Sequence, residues 1–276
     1  MTLHDFTFYL STPRLSPILI GATGGSGTRL VQAILEHAGV FMGKNLNASR
    51  DCMDFAPFLE QHINTVMPIT GGTDYRPAQL PAPLRRNMYA QLRRLVRDYR
   101  LQLTHTHQPW GWKNPRSIFM LPVLHGVCHK LRFIHVVRDG RDMAFSSNQN
   151  QRNKHYEAVF ATPCHAAHTQ GEEASIALWN RINTQTYRWG MRYLKNRYYT
   201  LRFEDLCATP EATIAALFDW LSITPTVPLG ELATMVTPPQ SIGRHRAANT
   251  RLCTQLENIA EEGLALFGYL PQAPCG

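Results

Sequence analysis

Ile18-Leu19-Ile20-Gly21-Ala22-Thr23-Gly24-Gly25-Ser26-Gly27-Thr28-Arg29-Leu30-Val31 joins an apolar run to a glycine-rich turn and a second apolar run. The first run, short and β-branched, reads as a buried strand. Beyond the turn, Leu30, Val31, Ile34, Leu35 and Ala38 recur at helical spacing, and Gly39 stops them. The glycines admit left-handed backbone angles and the close approach of a ligand. A helix starting at the turn aims its unpaired N–H groups and positive dipole end at that ligand, so the stretch reads as an anion-binding loop.

The bulk composition agrees with such a site. The chain has 276 residues, 44% of them apolar, enough to bury a core, and one domain over residues 1–276 is expected. A formal charge of +8 favours an anionic ligand, acceptor or surface, while the absence of a run of five like charges speaks against a nucleic-acid tail. Cys52, Cys128, Cys164, Cys207, Cys253 and Cys275 form no C-x-x-C pair, which argues for reduced thiols. No secretory signal is visible and no window approaches the roughly 18 apolar residues of a membrane span. A cytoplasmic protein is expected.

Working outward, residues 1–16 are a lead-in without a period, 43–50 a polar loop and 51–63 a short helix with Asp51 or Asp54 near its start. Residues 68–83 are a Pro- and Gly-rich excursion. Leu84, Met88, Leu92, Leu95, Val96 and Tyr99 then share one helical face and Arg85, Arg86, Arg93, Arg94, Arg97 and Arg100 largely the other. Further strands end at Lys113, Arg138 and Phe203, and helices are expected over 117–124, 172–194 and 210–221. Residues 150–172, polar and broken by Pro163 and Gly171, read as a mobile loop over a site. Alternating strands and helices imply an α/β fold with a central parallel sheet flanked by helices.

The glycine loop has three readings. A Walker A loop needs lysine after its last glycine, and Thr28 stands there instead. Gly21-x-x-Gly24-x-x-Gly27 resembles the nicotinamide-binding turn of short-chain dehydrogenases/reductases, yet no tyrosine is followed by lysine four residues on, as that family's catalytic pair requires, and no acidic residue closes a second strand to hold a ribose. Gly25-Ser26-Gly27-Thr28-Arg29 resembles the 5′-phosphosulfate loop of the sulfotransferase family. In that family an arginine ending a strand and a serine eight positions later grip the 3′-phosphate of 3′-phosphoadenosine 5′-phosphosulfate (PAPS). Arg138 and Ser146 have that spacing. Trp112-Lys113-Asn114-Pro115-Arg116-Ser117 resembles the family's lysine-proline segment, and Leu201-Arg202-Phe203-Glu204-Asp205-Leu206 its Y-E-D-L strand end. Ser241-Ile242-Gly243-Arg244-His245-Arg246 resembles the late basic segment that closes over the 3′-phosphate.

The resemblance implies a P-loop-like architecture and sulfuryl transfer from PAPS to a hydroxyl or amine, leaving 3′-phosphoadenosine 5′-phosphate (PAP). It implies donor binding by Gly24, Gly25, Ser26, Gly27, Thr28, Arg138, Ser146, Gly243 and Arg244, with Lys113 and Arg29 on the sulfuryl and bridging oxygens. Two departures matter. Many members carry a cation where Gly25 stands, and Arg29 substitutes as in the G-T-R loops of heparan sulfotransferases. The general-base histidine of cytosolic members falls at Pro115, so an acidic base is expected, with Asp51 and Asp54 as candidates.

No metal is assigned. His105 and His107 would share a strand face and His125 and His129 have helical spacing, but neither pair has a third ligand. The arginines of residues 85–100 read as a solvated face that could also recruit an anionic glycan or lipid acceptor, and the five tryptophans read as core. A nicotinamide reductase and a non-catalytic nucleotide binder remain as alternatives. Acceptor and oligomeric state are not readable from the residues.

Overall fold

Four short parallel strands carry the architecture in a computed structural model that describes residues 16–105, 107–163 and 171–270. Strand β1 (Ile18–Gly21) pairs with β2 (Gly111–Lys113) on one side and β3 (Arg132–Val137) on the other, and β4 (Tyr198–Arg202) continues the sheet beyond β3. Both faces are covered, which is why β1 is buried along its whole length rather than alternating. Because Ile20 lies opposite both Lys113 and Ile134, the carboxyl ends of β1, β2 and β3 come out together. The connection from β1 runs outward to β2 and that from β3 runs the other way to β4, so the ends of β1 and β3 border a topological switch point, where α/β sheets bind ligands.

Around the sheet lie α1 (Thr28–His37), α2 (Ala56–Thr70), α3 (Ala82–Arg100), α4 (Leu121–Val127), α5 (Gly140–Ala144) and α6 (Asn150–Phe160). They are followed by α7 (Gly171–Tyr193), α8 (Phe203–Ala208), α9 (Pro210–Leu221), α10 (Leu229–Thr234) and α11 (Thr250–Leu266). One core holds the Phe55 and Trp112 rings stacked at 4.0 Å, with Met88, Leu92, Val96 and Tyr99 from the apolar seam of α3. On the opposite face Ile34 and Leu35 of α1 share a core with Leu217 and Phe218 of α9. A third cluster, including Trp179, Leu256 and Leu264, fastens α11 to α7. Trp110, Trp112, Trp179 and Trp189 are buried. Among the described residues no helix is long and apolar enough to cross a membrane.

Three expectations need correction. The helix expected over 51–63 starts at Ala56 and runs through Pro68 to Thr70, because Cys52 N–H bonds the Lys113 carbonyl at 2.7 Å and keeps the preceding residues as a loop against β2. The first part of the loop expected over 150–172 is helix α6, whose buried face is His155, Tyr156 and Val159. Two polar-tipped rings concealed its apolar side, while residues 164–170, Cys164 among them, lie outside the described residues, as do Cys275 and residues 1–15. His105 and His107 sit in a connection between α3 and β2 rather than on a strand. The His125 and His129 rings do meet, with centroids 5.8 Å apart.

His135 and His155 are among the buried histidines. Fully buried His135 of β3 accepts a hydrogen bond from the Tyr198 hydroxyl on Nδ1 at 2.5 Å and donates from Nε2 to Asn183 Oδ1 at 2.8 Å. Asn183 in turn donates to Thr23 Oγ1 at 3.3 Å, tying the network to the glycine loop. Burial pushes the His135 pKa down to about 4, and burial with the nearby Arg116 charge does the same to His155. Both are neutral in the fold but take a proton near the ordinary value of 6.5 once unfolded, so their contribution is intact above that pH and lost as the pH falls toward 4. Unfolding free energies from denaturant titrations should therefore drop from pH 7 to 6 to 5, by up to about 1.4 kcal/mol per histidine per pH unit. A flat profile over this window would contradict neutral burial.

Candidate active site

The glycine loop leaves β1 and enters α1 with Gly25 and Gly27 at φ +85° and +87°. Gly27 caps the helix, and a Cβ there would stand 2.2 Å from the Phe203 ring, so both conformation and space demand glycine. Ser26 is buried and spends its hydroxyl within the loop, donating to the Thr23 carbonyl at 2.7 Å. From outside, Gln151 Nε2 donates to the Ala22 carbonyl at 3.3 Å. Helix α1 has neither a side-chain cap nor an acidic residue in its first turn, which leaves its positive end available to an anion.

A cleft of about 750 Å³ opens above this loop. On its β2 side, Lys113 is only 1% exposed and donates from Nζ to the Ser49 carbonyl and to Asp51 Oδ1, both at 2.6 Å. Burial pulls the Lys113 pKa below its ordinary value, against the pull of Asp51. Asn47 holds the turn, accepting from Asp51 N–H at 2.8 Å and donating to Asp51 Oδ2 at 3.1 Å. Exposed Arg29 reaches the same turn through Ser49 Oγ at 3.4 Å. The two acidic candidates separate here. Asp51 lines the cleft, whereas Asp54 does not: it accepts from Gln102 Nε2 at 2.9 Å and from the Cys52 thiol at 3.4 Å.

On the β3 side, Arg138 is 6% exposed and donates from Nη2 to the Ser241 carbonyl at 2.6 Å and its hydroxyl at 2.9 Å. The guanidinium lies 5.4 Å from the centre of the Phe203 ring, and its buried Nε has no hydrogen-bond partner. Burial lowers the Arg138 pKa, with Asp142 opposing. Asp142 accepts from Gly243 N–H at 2.6 Å, His245 N–H at 3.1 Å and His245 Nδ1 at 2.6 Å, pinning residues 241–246 to α5. Burial alone would raise its carboxyl, yet these bonds hold it below the ordinary value.

Ser146 follows the end of α5 rather than standing in the first turns of a helix, and its hydroxyl lies 3.9 Å from where a Gly25 side chain would begin. Gly243 and Arg244 lie behind the cleft wall, with Arg244 donating to the carbonyls of Phe145 and Ser241, both at 3.2 Å. Pro239 and Ser241 of the same segment form the wall itself. Ser241, Asn47 and Asp142 carry structural roles that nothing local in the sequence signalled, because each depends on a partner brought in by folding.

Residues 17–226 match the sulfotransferase family. The chain belongs to that family. Three solved structures show the fold of this sulfotransferase. STF9 from Mycobacterium avium is 12% identical, with 96% of this chain and 81% of that one covered and a TM-score of 0.54. The sulfotransferase domain of the Synechococcus PCC 7002 olefin synthase is 16% identical, with 94% and 98% covered and a TM-score of 0.53. A sulfotransferase domain from the curacin biosynthetic pathway is 15% identical, with 95% and 94% covered and a TM-score of 0.50. No curated protein matches the chain. Family membership displaces the nicotinamide-reductase reading of the loop, while the match ends before residues 239–246.

The loop geometry makes a sharp comparison. Gly71 also has positive φ, +67°, but an added Cβ there meets nothing within 4 Å. Gly71→Ala should cost about 1–2 kcal/mol in urea unfolding, the left-handed backbone term alone. Gly27→Ala should cost clearly more, because Phe203 must also move. Equal losses would show that the loop is not clamped against Phe203.

Proposed function

We propose that this sulfotransferase uses PAPS as donor and delivers its sulfuryl group to an acceptor hydroxyl or amine, with Lys113 and Asp51 at the reacting centre. The observation that carries this reading is the ion pair of buried Lys113 with half-buried Asp51, 2.6 Å apart and lining the same cleft as the open end of α1. The residues suit the donor: positive-φ glycines present backbone N–H groups, and Arg138 carries a buried N–H without a partner.

When bound, PAPS supplies an activated sulfuryl group whose leaving group is the nucleotide 5′-phosphate. The N–H groups of Gly24 to Thr28, Ser26 through its backbone, hold the 5′ anions in this reading. Arg138, Ser241 and Ser146 hold the 3′-phosphate, and Gly243 and Arg244 keep that wall in place. Lys113 and Arg29 supply the positive charge that offsets charge building on the transferring oxygens, so no metal enters the proposed reaction. Asp51 takes the acceptor proton. As the ammonium of Lys113 turns toward an anion, its bond to Asp51 Oδ1 loosens and a carboxylate lone pair becomes available for that proton. Asp54 supports the fold at the foot of α2 instead. The whole chain serves as one domain in this proposal, since α11 closes the core beside Val137 and Trp179.

PAP should raise the melting temperature, whereas stabilisation by NADPH alone would overturn the donor assignment. With an acceptor drawn from a panel of alcohols and amines, Lys113→Ala should lower kcat about 10²- to 10³-fold while PAP affinity stays within a few-fold. Arg138→Ala should instead weaken PAP binding about 10- to 100-fold, the loss of a charge-assisted contact. Asp51→Asn should depress kcat and Asp54→Asn should leave it near wild type. Full turnover by the Lys113 variant, or equal losses from the two aspartate variants, would break the assignment.

A further inference from the structure

The donor reading uses only part of the cleft's positive charge. Its proposed ligands run from Lys113 and Arg29 across the β1 loop to Arg138 at the end of β3. On the far side of β1, two more cations line the cleft: Arg116, just past the end of β2, and Lys154 on α6. Strand spacing puts the β2 and β3 sides roughly 10 Å apart, so one phosphate cannot engage both. Arg116 and Lys154 converge on a single carboxylate. Glu60 on α2 is hydrogen-bonded by Arg116 Nη1 and lies 3.3 Å from Lys154 Nζ. The Arg116 side chain is only 18% exposed, whereas those of Lys154 and Glu60 are 53% and 56% exposed, so one cation is embedded in the cleft wall while the second cation and the carboxylate face solvent.

The rest of the lining narrows the chemistry. Phe203, on the donor side, is the only aromatic residue among the described lining residues, and no aliphatic side chain other than proline joins it. A phenol, steroid or long-chain alcohol would find no apolar wall to repay its burial. Asn47, Ser49, Asn114, Asn148 and Asn150 present polar groups instead.

Resting on the sulfotransferase reading above, we infer that the acceptor is a small, hydroxyl-bearing anion whose carboxylate, sulfate or phosphate displaces Glu60 from Arg116 and Lys154. Glu60 is the resting counter-ion of the acceptor site. Once its charge is seated on Arg116 and Lys154, the acceptor directs a hydroxyl toward Asp51, which belongs to the same cleft on the β2 side. Uncharged acceptors leave Glu60 in place and gain nothing from the two cations.

The test titrates the PAP-saturated protein calorimetrically with methyl β-D-glucuronide and with its uncharged counterpart, methyl β-D-glucoside. The glucuronide should bind at least tenfold more tightly. Glu60→Gln should tighten the glucuronide a further three- to tenfold and leave the glucoside unchanged, an effect that a merely structural Glu60 would not produce. Arg116→Gln combined with Lys154→Gln should erase the preference while PAP affinity and melting temperature hold. Equal affinities, no heat from either sugar, or a preference that survives the double substitution would overturn the acceptor assignment alone. Failure of PAP to bind the wild-type protein would overturn the donor reading and this inference with it.

Discussion

A lysine ammonium with 1% of its surface exposed is the constraint on which the rest of the site depends. Burying an isolated charge costs several kcal/mol, so Lys113 is compatible with the fold only if close acceptors surround its Nζ. Those acceptors are the Ser49 carbonyl and Asp51, and both come from one turn closed by Asn47. The turn is anchored from below by the bond between Cys52 N–H and the Lys113 carbonyl, so the strand that presents the cation also positions its partner. The requirement to neutralise one buried charge thereby builds the β2 side of the cleft.

The β3 side solves the same problem with different parts. Arg138 is buried on Phe203 and held by Ser241, and the segment bearing Ser241 is secured because Asp142 collects two backbone N–H groups and the His245 ring. Between the two sides the glycine loop carries no charge of its own. It is held by Ser26, Gln151 and the His135–Asn183–Thr23 network. Preorganised cations on either side of preorganised dipoles suit a reaction in which positioning and charge do most of the catalysis.

The chain's legibility varied with the range of the interactions involved. Strand ends and the glycine loop were readable because they depend on β-branched runs, helical spacing and residues that tolerate positive φ. Helix α6 was missed because its buried face uses His155 and Tyr156, whose burial is decided by α2 and α7 rather than by their own hydropathy. The start of α2 was misplaced because Cys52 answers to β2 across the fold. Choosing between Asp51 and Asp54 was impossible from composition: three residues apart, they differ only in that one is turned to Lys113 by Asn47 and the other to Gln102 by the end of α3.

What the sequence determined by itself was the order of the four strands, the glycine turn that joins β1 to α1, and, through resemblance, the family. These rest on local backbone preference and on motif spacing, which survive without coordinates. Tertiary structure alone decided which carboxylate meets Lys113, that Ser241 and not Arg244 faces the cleft, and that Arg116 and Lys154 share Glu60. Each of these is a contact between residues dozens of positions apart, where hydrogen-bond geometry and burial act only after the parallel sheet has brought its strand ends together.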